Sequence, residues 1–195
     1  MNPSTRSSQT TTRLLASKTN SPTAVPIDPK KLVKAARQFA GPTSRGRPKP
    51  ELLRKAVSAS YYALFHCVCL EDSTYLLPHG TRQQQLRLAR AFGHRELKGA
   101  CAWVAGRQGN IHPHVKPLVE FLKPTAIADV ASSFCDLQEA RHDADYDHLA
   151  PFSKPSALAN VDDTEKAMSA LEDAEPGQRE AFFSLLAICA RLPHN

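Results

Sequence analysis

Between Val57 and Leu70 the chain runs through fourteen residues, VSASYYALFHCVCL, with no charged side chain. Leu53, Val57, Leu64 and Val68 recur across this stretch at helical spacing. A helix that is apolar nearly all round needs other helices on every side. The segment therefore predicts the central helix of a bundle, starting near Pro50 and running to about Leu70.

The rest of the sequence supplies partners of the same kind. Asp28-Pro29 reads as an N-cap followed by proline at the first helical position, and Gly41-Pro42 stops that helix at about Ala40. Residues 41–50 form a basic loop rich in Pro and Gly. After Pro78-His79-Gly80, the stretch Thr81 to Ala105 reads as one or two helices, with Gly93 as a break. Residues 106–117 read as a loop and Leu118 to Leu122 as a single turn. A long helix starts near Thr125 or Asp129, and Pro151 and Pro155 interrupt the chain after it. Val161 to Ala174 and Gln178 to Leu192 are the last helices. No run alternates with period two, so no strand is needed. The expectation is an all-α, up-and-down helical bundle over residues 27–195, preceded by a disordered basic tail over residues 1–26.

That tail is rich in Ser, Thr, Asn and Pro and carries Arg and Lys but no acid. It superficially resembles an organellar transit peptide, although a plain flexible tail is the simpler reading. Charge is unevenly placed along the chain. Residues 1–55 hold 12 Lys and Arg against two acids, a net of +10; residues 56–195 hold 13 against 17, a net of −4, which together give the +6 of the whole chain. A basic leading part on a mildly acidic body suggests attraction to a polyanion such as nucleic acid, or else a solvated basic tail. No apolar stretch is long enough to span a membrane. The five cysteines are odd in number and irregular in spacing, which fits buried free thiols in a reducing cytoplasm better than a disulfide framework or a zinc site. No cofactor-binding motif is present, and no metal ligand set is expected; His112-Pro113-His114 lacks further ligands.

The helix around residue 141 carries the most specific feature. Val130, Phe134 and Leu137 define an apolar stripe, and at ~100° per residue Arg141 falls within ~20° of Val130. Asp145 lies near the edge of the stripe, and His148 returns to its centre if the helix lasts that far. A guanidinium on an inward-facing stripe is costly unless it meets an anion or a carboxylate. Two readings follow. Arg141 pairs with Asp145, its i,i+4 neighbour, or with an acid on another helix, or it opens into a cleft and binds a phosphate, for which its planar fork is suited.

The segment Tyr61-Tyr62-Ala63-Leu64-Phe65-His66 resembles the YYAxFH signature of prokaryotic HEPN-superfamily proteins, and Arg141-His142-Asp143-Ala144-Asp145-Tyr146-Asp147 resembles their RxxADYD signature. His79 lies in the intervening loop, where such proteins often carry a histidine. The resemblance covers about residues 50–150. It implies a helical bundle that often forms a homodimer, frequently encoded beside a nucleotidyltransferase or an antitoxin. Many members are metal-independent endoribonucleases of toxin–antitoxin or defence systems. In those enzymes an Arg, followed after four to six residues by a His, meets its dimer mate in one cleft. Carried over, Arg141 holds the scissile phosphate and His148 takes part in proton transfer as the ribose 2′-hydroxyl attacks. His148 follows after six intervening residues, the long end of that spacing, whereas the nearer position holds Tyr146. The resemblance also implies a supporting role for Asp145, Tyr146, Tyr62, His66 and His79 at an RNA or nucleotide site. The alternative is a non-catalytic module that binds nucleotide, RNA or protein, with Arg141 and Asp145 as a structural pair.

By the same projection His66 lies roughly opposite the Leu53/Val57/Leu64 stripe, where a hydrogen-bonded core histidine is the plainer reading. Tyr61 and Tyr62 read as core aromatics whose hydroxyls reach partners. Arg82, Arg87 and Arg90 share a helical face that is either solvated or in contact with RNA backbone.

Overall fold

Pro50–Leu76 forms the longest helix of the protein, and in the computed structural model it is the element around which the others are arranged. The structure describes residues 26–41 and 48–190. Among these, eight helices and no strand are present: α1 (Pro29–Ala40), α2 (Pro50–Leu76), α3 (Arg82–Ala89), α4 (His94–Val104), α5 (Lys116–Leu122), α6 (Ala126–Tyr146), α7 (Lys154–Asp173) and α8 (Pro176–Cys189). The chain is thus an all-α helical bundle. The basic tail lies outside the described residues except for Pro26, and so do residues 42–47 of the basic loop and the expected last residues of the final helix, Arg191 and Leu192.

The local signals act as their chemistry dictates. The Asp28 carboxylate accepts from the backbone N–H groups of Lys30 and Lys31, and Pro29 opens α1. Gly41 ends it at φ +80°, a left-handed conformation that a side chain resists. Thr81 and Gln84 form a reciprocal cap on α3, and Thr125 caps α6 through Ile127 N–H.

Several boundaries shift by two or three residues, and two differ by more. α2 continues six residues beyond Leu70, because Asp72 and Ser73 turn inward although their polarity suggests a helix end; both are fully buried. α7 starts at Lys154 rather than Val161. Pro155 does not break it, since it sits in the first turn behind the Ser153 cap, where proline lacks only an N–H that would have no partner.

α2 packs against α1, α3, α6, α7 and α8, so its charge-free stretch is enclosed as the composition requires. The main core joins Tyr61, Leu64 and Phe65 of α2 to Phe134 and Leu137 of α6, Leu97 of α4 and Phe182 and Leu186 of α8. Each fully buried Leu or Phe contributes about 1.5–3 kcal/mol. A second cluster brings together Leu53, Ala56, Val57, Ala40, Ala144 and Ala157 where α1, α2, α6 and α7 meet. Ala144 of this cluster also lines a groove beside the end of α6. All five cysteines are free, and four of them are buried. No helix among the described residues is long and apolar enough to cross a membrane.

Candidate functional site

Tyr61 and Tyr62 are neighbours on α2, so their side chains leave the helix about 100° apart. Tyr61 points into the core and is 1% exposed. Tyr62 is half-buried and faces α6. Arg141, on the α6 stripe, donates from Nη2 to the Tyr62 hydroxyl over 2.8 Å. Its Nε lies 2.7 Å from Asp145 Oδ2, an ion-pair contact in which the N–H does not line up for a hydrogen bond. The guanidinium carbon sits 5.4 Å from the ring centres of both Tyr62 and Tyr146. Burial works against the Arg141 charge, but Tyr62, Asp145 and Tyr146 outweigh it and hold its pKa above the usual arginine value.

Asp145 is engaged twice. Besides Arg141, its Oδ1 accepts from the Ser58 hydroxyl at 2.5 Å, which ties α6 to α2. The side chains of Arg141 and Asp145 are 22% and 30% exposed, so the pair belongs to a wall and not to the deep core. Asp145 lines an open groove of about 650 Å³, and so does Tyr62; Arg141 stands behind these two partners. Phe39 and Leu32 of α1 form an apolar side of this groove; Glu51, Arg54, Lys55, Ser58, Tyr62 and His66 of α2 and Asp145 of α6 form the polar side.

His66 stacks on the Tyr62 ring at 6.3 Å, and burial lowers its pKa. Its half-buried position keeps it at the groove wall. His79 lies exposed in the turn after α2 and makes no hydrogen bond or ring contact with a described residue. His148 also lies apart from Arg141's partners. α6 ends at Tyr146, Asp147 is extended at φ −90° and ψ 104°, and His148 follows exposed in a turn. The helical register that would return His148 to the stripe therefore stops two residues short of it. Tyr146 is 61% exposed.

Two participants were not legible in the sequence. The first is His94, the opening residue of α4 behind Gly93. Its Nδ1 lies 2.6 Å from the Tyr61 hydroxyl, its ring stacks on Phe65 at 3.9 Å, and it meets the Tyr62 ring edge-on at 5.9 Å. Burial lowers its pKa, and the nearby charges of Arg141 and His66 lower it further against an opposing Glu96. Gln138 of α6 donates to the His94 carbonyl at 3.3 Å. A histidine directly behind a helix-breaking glycine was the available signal, but nothing local connects it to Tyr61, 33 residues away.

The second is Arg54. Its Nη1 donates to the carbonyls of Asp143, Ala144 and Asp147, and its Nη2 to those of His148 and Ala150, at 2.8–3.4 Å. One guanidinium thus satisfies the open carbonyl end of α6 and its following turn, where a cation also suits the helix dipole. Its carbon lies 5.1 Å from the Phe152 ring centre. Arg54 positions the segment that carries Asp145, Tyr146 and His148.

The remaining candidates stay outside this cluster. Arg82, Arg87 and Arg90 are exposed on and just after α3. His112 and His114 lie ring to ring at 5.1 Å, and no group of three or more His, Cys, Asp or Glu able to hold a metal occurs among the described residues. Comparison of the chain with protein-family models, curated proteins and solved structures gives no match.

Proposed function

We propose that this protein is an HEPN-like helical module that binds RNA at the groove beside Arg141, with the guanidinium holding a backbone phosphate. The observation that carries this reading is the state of Arg141. It is oriented by Tyr62, Tyr146 and Asp145, yet Nη1 is neither buried nor hydrogen-bonded to a described residue. A structural pair with Asp145 alone requires neither the Tyr62 hydrogen bond nor the two tyrosine rings beside the guanidinium, and it leaves no reason for an open Nη1. In the groove lining Lys55 and Arg54 offset Glu51 and Asp145, while Tyr62, His66 and Phe39 offer rings against which unpaired bases can stack. The ordered tyrosine-pair and RxxADYD segments support the same reading through their resemblance to HEPN proteins.

A second reading adds metal-independent cleavage of the bound strand. It is favoured by the exposed imidazole of His148, held by its backbone on Arg54 at the end of α6, where a second copy of the chain can approach it. In this reading the working unit is a homodimer, and an antitoxin or a nucleotidyltransferase is the partner that restrains it.

Titration of the purified chain with an unstructured single-stranded RNA at several salt concentrations tests the first reading. Binding that weakens steeply with salt is expected. Absence of binding at low salt would overturn it. Incubation of the same RNA with the protein in EDTA tests the second reading: cleavage that disappears in Arg141→Ala supports it, and an intact strand at high protein concentration rejects it.

A further inference from the structure

We propose that His94 is held by Tyr61 as a neutral hydrogen-bond donor, and that its Nε2–H, the Tyr62 hydroxyl and Arg141 Nη1 together form a site for the oxygens of a phosphodiester. This assignment rests on the RNA-binding reading for the identity of the natural ligand, but its geometry stands on its own.

The argument begins with a proton. The Tyr61 hydroxyl is buried, and its one hydrogen-bond partner among the described residues is His94 Nδ1 at 2.6 Å. A buried hydroxyl hydrogen without an acceptor is costly, so the Tyr61 hydrogen points at Nδ1. Nδ1 is then the acceptor, and the hydrogen of the neutral imidazole sits on Nε2. Tyr61 does not lose its proton to reverse this, because burial raises its pKa well above the usual phenol value, with Arg141 opposing. Protonating Nδ1 would turn the Tyr61 hydrogen away into the core.

The charged and titratable groups facing His94 favour the same state. Arg141 of α6 and His66 of α2 disfavour a cation there, and Glu96 of its own helix opposes them. His94 opens α4, where the positive end of the helix dipole also disfavours an imidazolium. The ring is fixed by its stacking on Phe65 at 3.9 Å, yet the residue remains exposed.

Two more donors lie beside His94, at its neighbour Tyr62. The Tyr62 oxygen accepts from Arg141 Nη2, so its own hydrogen is available; no described residue accepts it. Arg141 Nη1 is open as well. Both His94 and Arg141 lie against the Tyr62 ring, at 5.9 and 5.4 Å. Three neighbouring donors without an acceptor among the described residues, one of them cationic, match a singly charged, multi-oxygen anion.

The test uses the full chain labelled with ¹⁵N at histidine, with inorganic phosphate and a 2′-O-methyl RNA oligonucleotide as probes. At about pH 8, above the ordinary histidine pKa, His94 is expected to show a bare Nδ1 and a protonated Nε2, and both probes should shift its Nε2–H signal. His94→Gln, which keeps a donor amide, should hold oligonucleotide affinity within about threefold, whereas His94→Ala should lose about tenfold. A hydrogen on Nδ1 in the wild-type chain, or signals that neither probe moves, would overturn the proposal. If phosphate shifts His94 while the oligonucleotide fails to bind, the anion site stands and the RNA reading falls. If the oligonucleotide binds and leaves His94 unmoved, the RNA reading stands and this site falls.

Discussion

Arg141 Nη2 meets the Tyr62 hydroxyl at 2.8 Å across 79 positions of sequence, joining the two segments on which the resemblance to HEPN proteins rests. Tyr62→Phe keeps the ring against the guanidinium and removes the hydrogen bond. A part-buried bond of this kind contributes about 1–2 kcal/mol, so the melting temperature should fall by about 2–8 °C. RNA affinity should fall with it, since Arg141 loses its orientation. Unchanged melting and unchanged binding together would show that the contact does neither job.

Asp145 links Arg141 to Ser58. Asp145→Ala leaves a part-buried guanidinium without its carboxylate. The pair is too enclosed for the near-zero value of a surface ion pair and too open for the full cost of a buried one, which places the loss at about 1–3 kcal/mol. Chemical denaturation of the variant measures it. A loss below about 0.5 kcal/mol would mean that water compensates Arg141 completely.

Arg54 gathers five carbonyls at the end of α6. Arg54→Ala should cost about 2–4 kcal/mol, and Arg54→Lys should recover only part of it, because an ammonium cannot span the same fan of acceptors. Hydrogen exchange over residues 146–150 gives the local readout. Exchange there should quicken more than in the middle of α6; equal protection in wild type and variant would deny Arg54 its positioning role.

Asp72 is fully buried, and neither carboxylate oxygen has a hydrogen-bond partner. Burial pushes its pKa from 3.8 up to about 8. The folded chain therefore keeps a proton that the unfolded chain has already released, and stability falls as pH rises between these two values. Each pH unit in that window removes at most about 1.4 kcal/mol, and the fall levels off once the folded carboxyl ionises. Melting at pH 5 and pH 8 should show a lower value at pH 8 for the wild type, with a much flatter dependence for Asp72→Asn. An identical slope in the two proteins would contradict the assignment.

The fold was legible where a residue acts on its own neighbours. Asp28-Pro29 and Gly41 bound α1, Gly93 opens α4 and Thr125 caps α6 as the sequence suggests. It was less legible where a residue's role depends on distant packing. Asp72 looks like a helix end but is enclosed, and Pro155 looks like a break but lies behind a cap. The candidate site divides in the same way. The inward stripe placed Arg141 and Asp145 together because both lie on one helix. His94 and Arg54 carry no such signal, because their partners come from segments 33 and 89–96 residues away and no local pattern encodes that meeting. His148 falls on the stripe only along a helix that Asp147 ends.

The decisive measurement is the salt dependence of single-stranded RNA binding by wild type and Arg141→Ala, read by fluorescence anisotropy in EDTA. With Arg141 on a backbone phosphate, the variant should bind at least about tenfold more weakly, and its plot of log affinity against log salt should lose about one unit of slope. A folded Arg141→Ala protein that matches the wild type in both affinity and slope would contradict the account.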